Sequence, residues 1–133
     1  MALLLDTHVW IWTQEDPDRL GARTRRRVLD VAEPLHVATV STLEIARLIA
    51  LGRIMLKGDL GDWVDRSIES LRAGSLDLAH PIARGAYALP GSFHPDPADR
   101  ILVATARHHG LTLVTADARI LAYRHVRTLD ATR

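Results

Sequence analysis

The chain opens on three consecutive leucines, Leu3, Leu4 and Leu5, that give way at once to Asp6 and His8. A short apolar run ending in polar residues predicts a strand buried on both faces. The period then changes. Leu20, Thr24, Val28 and Val31 share one helical face and Arg19, Arg23, Arg26, Arg27 and Asp30 the other, which predicts a helix over 17–32, capped by Asp16 or Asp18 and stopped by Pro34. A β-rich run follows at 36–40. Ser41-Thr42-Leu43-Glu44 then has the spacing of a capping box and predicts a helix carrying Ile45, Leu48 and Ile49 and closing at Gly52. Leu60, Trp63, Val64, Ile68 and Leu71 mark a helix over 59–71, ended by Gly74 before a short strand at 76–78. A further short helix is expected at 81–89. Pro97 at a first helical position starts a helix over 97–108, and Gly110 stops it. A strand at 111–114, a short helix at 117–123 and a last strand at 126–129 complete the pattern.

Strands alternating with helices predict an α/β fold with a central, mostly parallel sheet covered on both faces. No repeat, low-complexity tract or linker divides the 133 residues, so one domain over 1–133 is expected. The absence of cysteine excludes disulfides, thiolate metal sites and a cysteine nucleophile. The N-terminal apolar run lacks a basic flank and no apolar stretch approaches a membrane span, so a cytoplasmic protein without membrane association is expected.

In a parallel sheet, functional groups gather at the carboxyl ends of the strands. That rule separates four acids from the rest. Asp6 follows the first strand, Glu44 lies in the first turn of the helix after the second, Asp99 lies in the first turn after Pro97, and Asp117 follows Leu113-Val114-Thr115. Four carboxylates at one sheet edge repel one another unless a cation neutralises them. Oxygen ligands alone favour one or two hard ions, Mg²⁺ or Mn²⁺. Such a site supports phosphodiester hydrolysis, with Asp6 as the central ligand and Thr7, Ser41 and Thr115 as hydroxyls that orient the carboxylates. Each acid also has a plainer reading as a helix cap or first-turn residue, and only their coincidence at one edge favours a site.

Four blocks carry a resemblance: Leu3-Leu4-Leu5-Asp6-Thr7-His8-Val9-Trp10, Ser41-Thr42-Leu43-Glu44-Ile45-Ala46, Asp96-Pro97-Ala98-Asp99-Arg100-Ile101-Leu102-Val103-Ala104-Thr105-Ala106, and Leu113-Val114-Thr115-Ala116-Asp117. In this order they resemble the PIN-domain ribonucleases, in particular the VapC-type toxins of bacterial type II toxin–antitoxin modules. The resemblance implies an α/β/α sandwich, Mg²⁺- or Mn²⁺-dependent endoribonuclease activity, and neutralisation by a VapB-type antitoxin within a toxin–antitoxin hetero-oligomer. It also implies a homodimer. It matches Asp6, Glu44, Asp99 and Asp117 to the family's acidic quartet, and Asp96 to a recurrent acid read here as a loop or capping residue. Leu43 departs from the pattern, standing where such toxins often carry Trp; it is read as a packing position outside the metal site.

Sixteen of the 17 basic residues are Arg, against 16 acids, a formal net charge of +1. Removing the four site acids leaves 12 acids against those 17 bases, so an acidic pocket would sit in an arginine-rich surface. The Arg19 to Arg27 cluster reads first as a solvated helix face and second as an RNA contact. Arg100, beside Asp99, is the arginine expected to reach substrate or pair with a site acid. Trp10, Trp12, Trp63 and Phe93 read as core or interface rather than as a base-stacking surface. His8 lies nearest the acids but has no ligand spacing with the other histidines. Two rivals remain: a phosphotransfer receiver, for which Lys57 falls in the wrong segment, and a catalytically silent PIN-fold module that binds RNA or protein, against which the intact quartet speaks.

Overall fold

A computed structural model describes residues 1–29 and 33–133. Five strands form one sheet in the order β3-β2-β1-β4-β5, every pair parallel: β1 (Leu3–Leu5), β2 (Leu35–Ala38), β3 (Gly74–Leu76), β4 (Thr112–Thr115) and β5 (Thr128–Asp130). The chain runs outward from β1 to β2 and β3, then returns to the other side of β1 for β4 and β5. The reversal lies between β1 and β4, and a crevice at the carboxyl ends of strands opens at such a switch point.

The seven α-helices are α1 (Thr7–Glu15), α2 (Ala22–Leu29), α3 (Thr39–Ala50), α4 (Leu60–Leu71), α5 (His80–Gly85), α6 (Pro97–His109) and α7 (Ala118–Leu121) among the described residues. Leu3, Leu4 and Leu5 are fully buried, and they divide between two cores. Leu3 and Leu5 pack with Trp10 of α1, Val28 of α2, Ile45 of α3 and Trp63 of α4, whereas Leu4 packs with Leu102 and Val103 of α6 and Ile120 of α7. Alternation within one three-residue strand thus feeds both faces of the sheet and makes the α/β/α sandwich.

Several elements differ from expectation. Helix α1 has no counterpart in the sequence reading: His8-Val9-Trp10-Ile11-Trp12 is rich in β-branched and aromatic residues, and Thr7, Val9, Trp10, Ile11 and Thr13 are buried, so no polar face marks a 3.6-residue period. The helix expected over 17–32 is a 3₁₀ turn at Pro17–Arg19 followed by α2; Asp16 makes no side-chain cap, and the expected continuation through Asp30, Val31 and Ala32 lies outside the described residues. Helix α3 begins at Thr39 rather than after Ser41, taking two residues from the expected strand. Ser41 is therefore inside the helix, and its capping box does not form: the N-cap is Ala38, without a side-chain bond. Trp10 and Trp63 are core as expected, with ring centroids 5.2 Å apart and the Trp10 indole N–H donating to Ser67 Oγ at 3.0 Å.

Candidate active site

Asp6 leaves β1 and caps α1. Its backbone N–H continues the sheet ladder to Val114 O at 2.9 Å, which places the residue at the switch point itself. Both carboxylate oxygens are held: Oδ1 accepts the Thr7 N–H at 2.7 Å and Oδ2 accepts the Thr115 hydroxyl at 2.6 Å. Thr115 Oγ1 in turn accepts the Asp117 N–H at 3.0 Å, so one hydroxyl ties the ends of β1 and β4 together. The Thr7 hydroxyl donates to Ser41 Oγ at 2.9 Å, fixing the start of α1 against α3 one turn before Glu44. All three hydroxyls expected beside the acids are fully buried there.

The other acids arrive from separate elements. Glu44 is in the second turn of α3, not the first, because the helix starts earlier than expected; with no capping box, its carboxylate is not spent on helix N–H groups. Asp96 is the N-cap of α6, its Oδ1 accepting the N–H of Ala98 at 2.9 Å and of Asp99 at 3.3 Å. Asp99, in the first turn of α6, is 8% exposed. Asp117 caps α7 through the N–H groups of Arg119 and Ile120. A cavity of about 300 Å³ is lined by Asp6, Glu44, Asp96, Asp99 and Asp117, together with His8, Trp12, Ala116 and Arg119. A wider concavity beside α2 and another lined by Arg107, Gly110 and Arg124 include no acidic residue.

Charge accumulates in this cavity. Burial, followed by the fields of Asp6, Asp96, Asp117 and Glu44, pushes the Asp99 carboxyl up to about 7. Burial also raises Asp6, although the Thr115 hydroxyl, the Thr7 N–H and His8 oppose it, and raises Glu44 with help from Asp6 and Asp96. Asp117 goes the other way: burial disfavours its charge, but the side-chain and backbone N–H groups of Arg119 outweigh it.

Two neighbours of these acids escaped the sequence reading. His94 Nδ1 accepts the Asp96 N–H at 3.4 Å, which leaves the proton on Nε2, 3.0 Å from Asp99 Oδ2. That contact is off the angle of a hydrogen bond, so it is a close electrostatic contact. Arg119 Nη2 lies 3.1 Å from Asp117 Oδ2 and 3.9 Å from Asp99 Oδ2. Arg100, by contrast, does not face the acids. Its Nε donates to Ala86 O at 2.8 Å, its Nη1 to Phe93 O at 3.0 Å and His94 O at 3.3 Å, and its guanidinium lies over Tyr87. Backbone carbonyls with no N–H partner are strong attractors for a guanidinium fork, and they take Arg100 away from Asp99. Leu43 is exposed on α3 rather than packed within the chain. In the arginine cluster, Arg27 pairs in bidentate fashion with Glu33, Arg25 lies 3.6 Å from Asp18, and Arg19 lies over Trp12.

The donor set can be tested against a divalent cation. Among the described residues no three His, Asp or Glu side chains close into a cage around one ion. The cluster is open, oxygen-only and overcharged. Mg²⁺ suits such a site, because it keeps several waters and takes only one or two carboxylates directly. The residues present therefore fit the ion.

Residues 3–126 match the PIN domain family model. The chain belongs to the PIN-domain family. A relative, ribonuclease VapC22 of Mycobacterium tuberculosis, is 38% identical over 125 residues, covering 94% of each chain. The PIN fold recurs in solved structures at lower identity. A DNA-bound VapBC from Salmonella typhimurium aligns with TM-score 0.69 at 20% identity over 98% of both chains, and VapBC2 from Rickettsia felis bound to a promoter DNA fragment with TM-score 0.68 at 14% identity over 98% of both.

Proposed function

We propose that this PIN domain is a metal-dependent endoribonuclease, the toxin of a type II toxin–antitoxin module. The observation that carries the reading is the gathering of Asp6, Glu44, Asp99 and Asp117, from four different elements, around one cavity at the sheet's switch point. Kinship to a protein named a ribonuclease, over nearly the whole of both chains, supports it. Solved relatives that are toxin–antitoxin complexes support a VapB-type antitoxin as partner; the homodimer within the hetero-oligomer is part of the proposal. No helix among the described residues is long and apolar enough to cross a membrane, and the proposed setting is the cytoplasm.

Asp6 and Asp99 would hold one Mg²⁺ or Mn²⁺, with Glu44 reaching it directly or through water and Asp117 completing a second position. The bound ion supplies polarisation of the phosphoryl oxygen, activation of a water, and neutralisation of charge on the leaving oxygen. The chain's own contribution is orientation. Thr115 and the Thr7 N–H fix both oxygens of Asp6, Asp96 fixes the first turn of α6 and hence Asp99, and Ser41 with Thr7 locks α1 to α3. In the reaction a water oxygen adds to phosphorus while the bond to the leaving ribose oxygen breaks, and that oxygen takes up a proton.

The test is cleavage of single-stranded RNA by the purified chain with Mg²⁺. Asp6→Asn should abolish cleavage, with the far-UV circular dichroism of the folded chain retained, and a chelator should do the same to the unaltered protein. Undiminished cleavage by a folded Asp6→Asn chain, or in the presence of chelator, contradicts the reading.

A further inference from the structure

Among the residues that line the acidic cavity, Arg119 is the one arginine, and lysine is absent. It is held by no buried contact. Its side chain is 62% exposed, and its Nε and Nη2 lie 3.4 and 3.1 Å from the two oxygens of Asp117. An exposed pair of this kind adds little to stability. The Asp117 carboxylate is also already engaged, since Oδ1 accepts the Arg119 and Ile120 N–H groups that start α7. The guanidinium is therefore not required to keep the turn.

Position and shape give Arg119 a second use. A phosphodiester offers two non-bridging oxygens to a guanidinium in the same planar, bidentate way as a carboxylate does. The fork that now spans Asp117 has the geometry to take a phosphate, and its Nη2 already lies 3.9 Å from Asp99. Neutralising the carboxylates would release the arginine toward an anion arriving over Asp99. The other arginine near Asp99 is unavailable, because Arg100 spends its donors on Ala86, Phe93 and His94 carbonyls.

We infer that Arg119 is the substrate-positioning residue of this site, exchanging its bidentate contact with Asp117 for the RNA phosphate at the point of cleavage. The inference rests on the ribonuclease reading above. It makes Asp117 the resting partner of the cation as well as a member of the acidic cluster.

The test uses the full chain carrying Asp6→Asn to silence cleavage, a fluorescein-labelled single-stranded RNA oligonucleotide, and Mg²⁺. Anisotropy is followed across a range of KCl concentrations. Adding Arg119→Gln should weaken binding about tenfold, the scale of one charge-assisted contact, and make the salt dependence shallower by about 0.7 in slope. Arg119→Lys should keep the slope and recover only part of the affinity. In the cleavage-competent chain, Arg119→Gln should raise KM more than it lowers kcat. If Arg119 only neutralises acids, Arg119→Gln leaves RNA affinity and slope unchanged or improves binding, and the inference fails. RNA binding by the Asp6→Asn chain that is indifferent to residue 119 overturns Arg119's role alone, whereas no RNA binding by that chain together with no Mg²⁺-dependent cleavage by the unaltered chain overturns the ribonuclease reading with it.

Discussion

Asp6 shows how one residue can serve both fold and site. Its carboxylate starts α1 and is held at the switch point by a hydroxyl from β4, so the side chain most committed to structure is also the most rigidly aimed. Thr115 is the hinge of that arrangement, because it also accepts the Asp117 N–H. Thr115→Val keeps the volume and β-branching but removes both bonds. RNA cleavage should fall about 10- to 100-fold, as is usual when the partner of a metal ligand is lost, while Thr115→Ser should recover most of it. Cleavage by Thr115→Val equal to that of the parent would show that Asp6 needs no such support. Asp6, Asp99 and Asp117 were legible in the sequence, since each follows a strand or opens a helix and topology brings those ends together; Glu44 was placed in a first turn it does not occupy, yet the second turn of α3 still lines the same cavity. His94 and Arg119 were not, because a contact with Asp99 depends on how the 94–96 loop and α7 turn in space. Arg100 misled for the same reason: adjacency to Asp99 along the chain says nothing of which way a side chain leaves α6.

At the scale of elements, period and punctuation placed all five strands and most helices to within a few residues. Two failures share a cause. Helix α1 is buried on most sides and is made of poor helix formers, so its stability comes from packing and from the Asp6 cap rather than from propensity. Helix α3 starts two residues early because Ser41 is needed inside the helix to meet Thr7, which overrides the capping box its sequence spells. Helix α4 shows the reverse case, where local chemistry and fold disagree at a cost. Its C-cap, Arg72, has φ 52° and ψ 38°, a left-handed conformation that suits glycine, while the Ala73 N–H closes the turn on Ile68 O at 3.0 Å. Arg72→Gly should stabilise the chain by about 1 kcal/mol in urea unfolding; a loss of stability would mean that the Arg72 side chain contributes more than its backbone costs.

For the molecule as a whole, the acids form a reservoir of unfavourable charge whose relief depends on protons or a cation. Asp99 titrates near 7 in the folded chain, against an ordinary 3.8. Between those values the native state binds more protons than the unfolded state. In this window Asp99 takes stability away from the metal-free protein as pH rises, and its contribution is fully lost above about 7. A divalent ion that binds only the folded chain should offset it, by about 2.7 kcal/mol at a hundredfold excess over its Kd. An α/β/α sandwich with its carboxylates at the switch point would then be least stable when it is empty and ionised, and most responsive to Mg²⁺ at that same pH. The measurement that tests this most directly is thermal unfolding of the parent and Asp99→Asn chains between pH 4 and 8, each with a chelator and with Mg²⁺. The difference in Tm between parent and variant should swing in favour of Asp99→Asn as pH rises from 4 to 7, and Mg²⁺ should raise the Tm of the parent at pH 8 and leave the variant nearly unmoved. A difference that stays flat with pH, or equal stabilisation of both chains by Mg²⁺, would contradict a shared cation site built on these acids.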